Sequence, residues 1–160
     1  MKEFLYPAIK LTALSLLLIA GAYTIILAIA ARAVHGEGQG ELIHQNGKTY
    51  YANITQNFNE DKYFSSRPSS VDYNAAGSAG SNKGPTNPEY LQTVQARIDT
   101  FLSHNPGIDK SQIPVDLVTA SGSGLDPNIS VLAAMVQVKR ISKIRNLPEK
   151  SLEEIIEKNI

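Results

Sequence analysis

LTALSLLLIAGAYTIILAIAA, residues 11–31, runs without a charge between Lys10 and Arg32. About 20 consecutive apolar residues match the hydrocarbon thickness of a bilayer, so the stretch reads as a transmembrane helix. A cleaved signal peptide is the rival reading, and Ala31-Arg32-Ala33 offers small residues for it. Such a peptide carries only ~7 to 15 apolar residues before its cleavage site, and this run is too long. The span therefore divides the chain into a short N-terminal tail over residues 1–10, a membrane helix over 11–33 and a head over 34–160.

Outward from the span, Lys2 and Lys10 lie on the N-terminal side, while Arg32 on the other side is soon joined by Glu37 and Glu41. Acidic residues count little in the positive-inside rule, so a short basic tail favours a cytoplasmic N-terminus and an extracytoplasmic head. The whole chain has 160 residues, with 15 basic and 15 acidic side chains and no cysteine. That length suits one domain plus an appendage. Cancelling charges supply no global field for nucleic acid, and the missing thiols exclude disulfides, thiolate metal sites and a cysteine nucleophile.

Within the head, ELIHQNGKTYYANI (41–54) places Asn46-Gly47 between β-forming residues, a hairpin signal because both central positions need positive φ. Residues 65–88 are rich in Gly, Ser, Asn and Pro and read as a linker or a long ordered loop. Asn87-Pro88 then caps a helix with Leu91, Val94, Ile98, Phe101 and Leu102 on one face, and Asn105-Pro106-Gly107 stops it. Val115 to Thr119 reads as a short buried strand, and Asp126-Pro127 as the start of the next helix. On that helix Leu132, Met135, Val136, Ile141 and Ile144 are expected to face the core. Ser151-Leu152-Glu153-Glu154 carries the pattern of a capping box for a last helix. The expected fold class is α+β: a single membrane helix followed by one small extracytoplasmic α+β domain.

The chemistry turns on DLVTASGSGLDPNIS, residues 116–130. A nucleophile elbow needs Gly-x-Ser-x-Gly, and neither Ser121 nor Ser123 has that frame. His104, a possible base, sits at a helix C-terminus, where a solvated histidine is ordinary. GSAGSNKGPT (77–86) fails as a phosphate loop, with Asn82 where the second glycine belongs and Gly84 where the hydroxyl belongs. Asp72 to Lys83 starts like a calcium loop but ends on a lysine where the bidentate carboxylate is required. Lys139, Arg140, Lys143 and Arg145 read as a solvated basic face, without the aromatic residues that a nucleic-acid surface would interleave. What remains is a turn in which Gly122 and Gly124 permit special backbone geometry and Asp126 caps the following helix. Either its free amides bind an anion, or Ser121, Ser123 and Asp126 occupy those amides and make a stiff docking knuckle.

QNF (56–58), YFSSRPSS (63–70), SAGSNKGPTNP (78–88) and VDLVTASGSGLDPNIS (115–130) resemble, in order, the landmarks of a family: the C subunits of Kdp high-affinity potassium-transporting P-type ATPases. Gln137 and Arg140 also fall on the family's pattern, and Gly21 with Tyr23 matches its membrane helix. The motif positions so marked are Gln56, Asn57, Arg67, Ser81, Asn82, Gln137 and Arg140, beside Ser121, Gly122, Ser123, Gly124 and Asp126 of the turn. Thr24, Val131 and Lys139 stand where the family usually has proline, and at Thr24 this is expected to leave the membrane helix uninterrupted. Relatives usually continue past Ile160 into a Gly-Glu-Pro turn and an apolar strand, so a sheet edge is expected to lack its partner here.

The resemblance implies a noncatalytic inner-membrane subunit, needed for assembly and modulation of an ATP-driven potassium pump. Its implied partners are a channel-like potassium-translocating subunit, the P-type ATPase subunit, a small single-helix subunit and the lipid bilayer, with no nucleic acid. It further implies a catalytic chaperone that raises the ATP affinity of the ATPase subunit. ATP with Mg2+ and K+ would be handled by the complex, with no catalytic residue, metal or cofactor on this chain. The alternative reading is an autonomous membrane-anchored domain that binds an external ligand at the glycine-serine turn.

Overall fold

A computed structural model describes residues 2–34 and 36–160, which form two compact units, one reaching to Ala52 and the other running Asn53–Ile160. The first unit begins with α1 (Lys2–Leu16), passes through a π-helical stretch (Leu17–Tyr23) and ends its helix as α2 (Thr24–Ala31). Glu3–Ala31 is long and apolar enough to cross a membrane. At 1.5 Å per residue it extends ~43 Å, beyond a ~30 Å hydrocarbon core. The residues read as a tail are therefore helical from Lys2 onward.

The span is also not the uninterrupted α-helix expected from Thr24. The Thr24 hydroxyl donates to the carbonyls of Ala20 at 2.6 Å and Gly21 at 2.9 Å, and the π-helical stretch closes just before it. A threonine hydroxyl competes with backbone N–H groups for the carbonyls three and four residues back, which bends the ladder without leaving a polar group bare. Beyond the span, β1 (Leu42–Gln45) pairs antiparallel with β2 (Lys48–Tyr51), Leu42 facing Tyr51 and Gln45 facing Lys48. Asn46 and Gly47 turn the chain with φ of 52° and 73°, as a two-residue hairpin loop requires. The hairpin, read from sequence as the beginning of the head, clusters with the span's unit.

The second unit is helical. The Asn87 side chain accepts from the Tyr90 amide and Pro88 opens α3 (Pro88–His104), as its sequence predicts. Val115–Leu117 is a 3-10 turn and not a strand: Pro114 presets the entry, Leu117 N–H donates to the Pro114 carbonyl, and Val115 is 71% exposed. The next helix, α4 (Val131–Arg145), starts later than Asp126-Pro127, because Ser130 takes the cap and accepts from the Ala133 amide. Lys139, at a usual proline position, lies inside that unbroken helix. The last helix, α5 (Glu149–Glu157), starts earlier than the capping box, at Pro148, which puts Ser151 inside its first turn.

The core corrects the phase assigned to α4. Ala134, Val138 and Ile141 pack with Leu152 and Ile156 of α5, and Ala133 packs with Phe101 of α3 and Leu117. Of the residues expected inside, Ile141 is buried and Val136 half-buried, while Leu132 is 68% exposed and Met135 and Ile144 are also exposed. Small side chains let α4 approach its neighbours closely, and dense packing there outweighs the larger transfer gain of the leucine face. Together the helices and the two-stranded sheet make an α+β chain.

Candidate functional site

The 65–88 segment is an ordered loop without helix or strand until Pro88, and the glycine-serine turn is one of the surfaces that hold it. The Ser123 carbonyl accepts from the Ala79 amide and the Ser78 hydroxyl, both at 3.0 Å. Thr55 N–H donates to the Leu125 carbonyl at 2.9 Å. Gly124 makes this approach possible, with φ of 69° and a missing Cβ that would lie 2.8 Å from the Ala79 oxygen and 2.9 Å from Val71. Gly122 is different: it is exposed, its φ is not in the left-handed region, and a Cβ there meets nothing within 4 Å. The expected special geometry belongs to Gly124 alone.

Side chains tighten the same turn. Ser123 Oγ accepts from the Leu125 amide at 3.1 Å, and the buried Ser121 hydroxyl accepts from the Asp126 amide at 3.5 Å. Asp126 does not cap a helix. It accepts from the amide and side chain of Asn128 and pairs with Arg67 Nη1 at 3.1 Å. The amide hydrogen bond from Asn128, with lesser help from its side chain and from Arg67, holds the Asp126 carboxyl below the usual aspartate range despite partial burial. Asp116, at the other end of the stretch, accepts from the amide and hydroxyl of Ser130. Both carboxylates line a shallow cleft of about 510 Å³ with Arg67 and Asn128.

A second holding point lies on α4. Gln137 is fully buried; its Oε1 accepts from the Ser65 amide and from Arg140 Nη2, each at 2.7 Å. Its Nε2 donates to the Ala133 carbonyl at 2.8 Å. Arg140, expected on a solvated face, is buried and spends its guanidinium on Asn105 Oδ1 and on the carbonyls of Asp61 and Tyr63. Burial draws its pKa below the ordinary arginine value, opposed by the Asp61 carboxylate. Asp61 also meets His104 Nδ1 at 2.8 Å, so this histidine closes the network's rim. Sequence reading missed Asp61, the role of the Ser65 amide and the acceptor role of Asn105. The surviving signal was the spacing of Gln137 and Arg140, three apart and hence on one helix face.

The remaining motif residues are not gathered into one site. Gln56 and Asn57 are exposed, with the Gln56 carbonyl accepting from Ser66 Oγ at 3.1 Å. Ser81 and Asn82 are exposed too, and Asn82 sits in the left-handed region at φ 52°. Among the described residues there is no group of three or more His, Cys, Asp or Glu placed to hold a metal ion. The hydroxyls of Ser121 and Ser123 bond to backbone amides and to each other, an arrangement that fixes the shape of the turn.

Many of the residues that lock this loop, Ser123, Gly124, Gln137 and Arg140 among them, are ones the resemblance rested on. A family model described as the K+-transporting ATPase c chain matches residues 5–160. The chain is 52% identical over 157 residues to a potassium-transporting ATPase KdpC subunit of Flavobacterium johnsoniae, covering 98% of this chain and 86% of that one. It is 44% identical to the KdpC subunit of Phocaeicola vulgatus over 164 residues, with 100% and 86% covered. Against that of Caldanaerobacter subterraneus it is 39% identical over 162 residues, with 100% and 84% covered. With the match running through the span, the ordered loop, the turn and α4 alike, this chain belongs to the KdpC family, the c chains of K+-transporting ATPases.

Proposed function

We propose that this chain is a noncatalytic subunit of the pump, anchored with its N-terminus in the cytoplasm and its folded head outside. There the head holds neighbouring subunits in working shape, docking on the channel-like potassium subunit through rigid surfaces such as the turn at Ser121 to Asp126. The ATPase subunit and the small single-helix subunit complete the complex. The observation that carries this reading is the extent of the family match, residues 5–160, which takes in membrane helix and head together. The turn supports it, because Ser121, Ser123 and Asp126 are engaged within the fold and Gly124 fixes its outline. A rigid outline is what a docking surface needs, since little ordering entropy is then lost on association.

A chaperone effect on ATP affinity then acts at a distance. ATP is cytoplasmic while the head lies outside, so the effect is a coupling free energy carried through packed membrane helices. In cells lacking this chain, ATP-driven potassium uptake at low external potassium is expected to fail and to return when the chain is supplied; normal uptake without it overturns the proposal. Protease added to intact cells or spheroplasts is expected to cut the head, and complete protection overturns the orientation. In the purified complex, loss of the chain is expected to raise the KM for ATP more than it lowers kcat.

A further inference from the structure

The misphased face of α4 leaves an unusual surface. Leu132, Met135, Lys139 and Lys143 fall on one outer face by their helical spacing, opposite Ala134, Val138 and Ile141, with Val136 at its edge, half-buried against the Phe101 core. Along ~16 Å of helix that face is apolar in its first half and cationic in its second. Beside its second half, Pro106 and Ile108 join Val136, Lys139, Lys143 and Ile144 around a cavity of about 400 Å³. The ionisable lining is His104, Lys139, Arg140 and Lys143, with no acidic residue. No ion pair among the described residues engages Lys139 or Lys143.

We infer that this face and cavity are the docking groove for an amphipathic segment of another pump subunit, with apolar side chains over Leu132 and Met135 and carboxylates over Lys139 and Lys143. Charge complementarity selects the occupant. An apolar anchor entering the cavity brings its own acidic neighbours within reach of two free ammonium groups, which steer the encounter and fix its direction along the helix. The concave shape favours a protruding side chain over a flat lipid surface, and a second copy of this face would bring lysine against lysine. The groove is separate from the glycine-serine turn but rests on the reading of the chain as a pump subunit.

The test places a photo-crosslinking amino acid at position 132 or 135 in the full chain within its native membrane. Illumination is expected to join it to another pump subunit at a peptide containing apolar residues and Asp or Glu. Adducts to lipid, to a second copy of this chain, or none in a complex that still co-purifies overturn the groove. As a second measurement, Met135→Asp and the pair Lys139→Glu with Lys143→Glu are expected to cut recovery of the assembled complex tenfold or more, with the chain's own melting unchanged. Wild-type recovery from these variants overturns the groove alone. If the unmodified chain fails to co-purify with the pump, the subunit reading falls and the groove with it.

Discussion

Two regions of the head do the same job by opposite means. At one end of the irregular chain, residues 61–65 are held by long polar side chains, Gln137 and Arg140, reaching out of α4 to backbone groups. At the other, residues 78–79 are held by the main chain of the glycine-serine turn coming close enough to bond directly, because Gly124 has no side chain. The first is a scaffold of atoms that truncation destroys. The second depends on an absence of atoms, which enlargement destroys.

The largest effect is expected from Arg140→Ala. It leaves the buried Asn105 Oδ1 without a donor, which alone costs ~1 to 3 kcal/mol, and also takes one donor from Gln137 Oε1 and from the part-buried carbonyls of Asp61 and Tyr63, so the loss is on the order of 3 kcal/mol. Urea unfolding of the full chain in detergent measures it; a change below 1 kcal/mol, stated roughly against the same scale, would remove the network from the account. Next comes Gly124→Ala, expected to cost ~1 to 3 kcal/mol from its left-handed backbone and added to by the clash with Ala79 and Val71. Gly122→Ala is its control, expected within about 0.5 kcal/mol. Equal effects from the two glycines would break the contrast.

Ser123→Ala is expected to cost about 1 kcal/mol, since one amide hydrogen bond is lost. Ser121→Ala should cost less because its contacts, at 3.4 and 3.5 Å, are long. The smallest effect separates the two ends by pH. The Asp126 carboxyl is lowered in the folded chain, so its stabilisation is fully present above the unfolded aspartate value near ~3.9 and is lost as pH falls through the folded value. Acidification is therefore expected to lower the protection factor of the Asn128 amide, its exchange taken relative to the intrinsic rate at each pH, while the Ser65 amide, held by an uncharged glutamine, keeps its protection. Parallel loss at both amides would contradict the comparison.

Much of the local structure was legible because it obeys short-range rules. Asn46-Gly47 takes positive φ at both central positions, one of the two turn geometries a two-residue hairpin favours, and Asn87-Pro88 supplies a cap and a preset φ. The family runs were legible too, and they include Gln137, Arg140 and the turn. What those residues do was not. Hydropathy ranked Leu132 above Ala134 for the interior and Arg140 among the solvated cations, and both orders are reversed in the fold. The helix starts failed for a related reason: Asp126 and Ser151 are good caps in isolation, yet Ser130 and Pro148 lie where α4 and α5 can present Ala134 and Leu152 to each other.

By itself, then, the sequence determined the membrane-length helix, the hairpin, the cap of α3 and membership in the KdpC family, since each is written in adjacent residues or in an unbroken run of them. Only the tertiary structure decided which face of α4 is inside, that Arg140 is buried and that, of the two glycines in the turn, Gly124 and not Gly122 has no room for a Cβ. Those outcomes depend on what stands opposite each residue across gaps of 35 to 79 positions, as with Asn105 and Asp61 around Arg140, and nearest-neighbour chemistry carries no record of that distance.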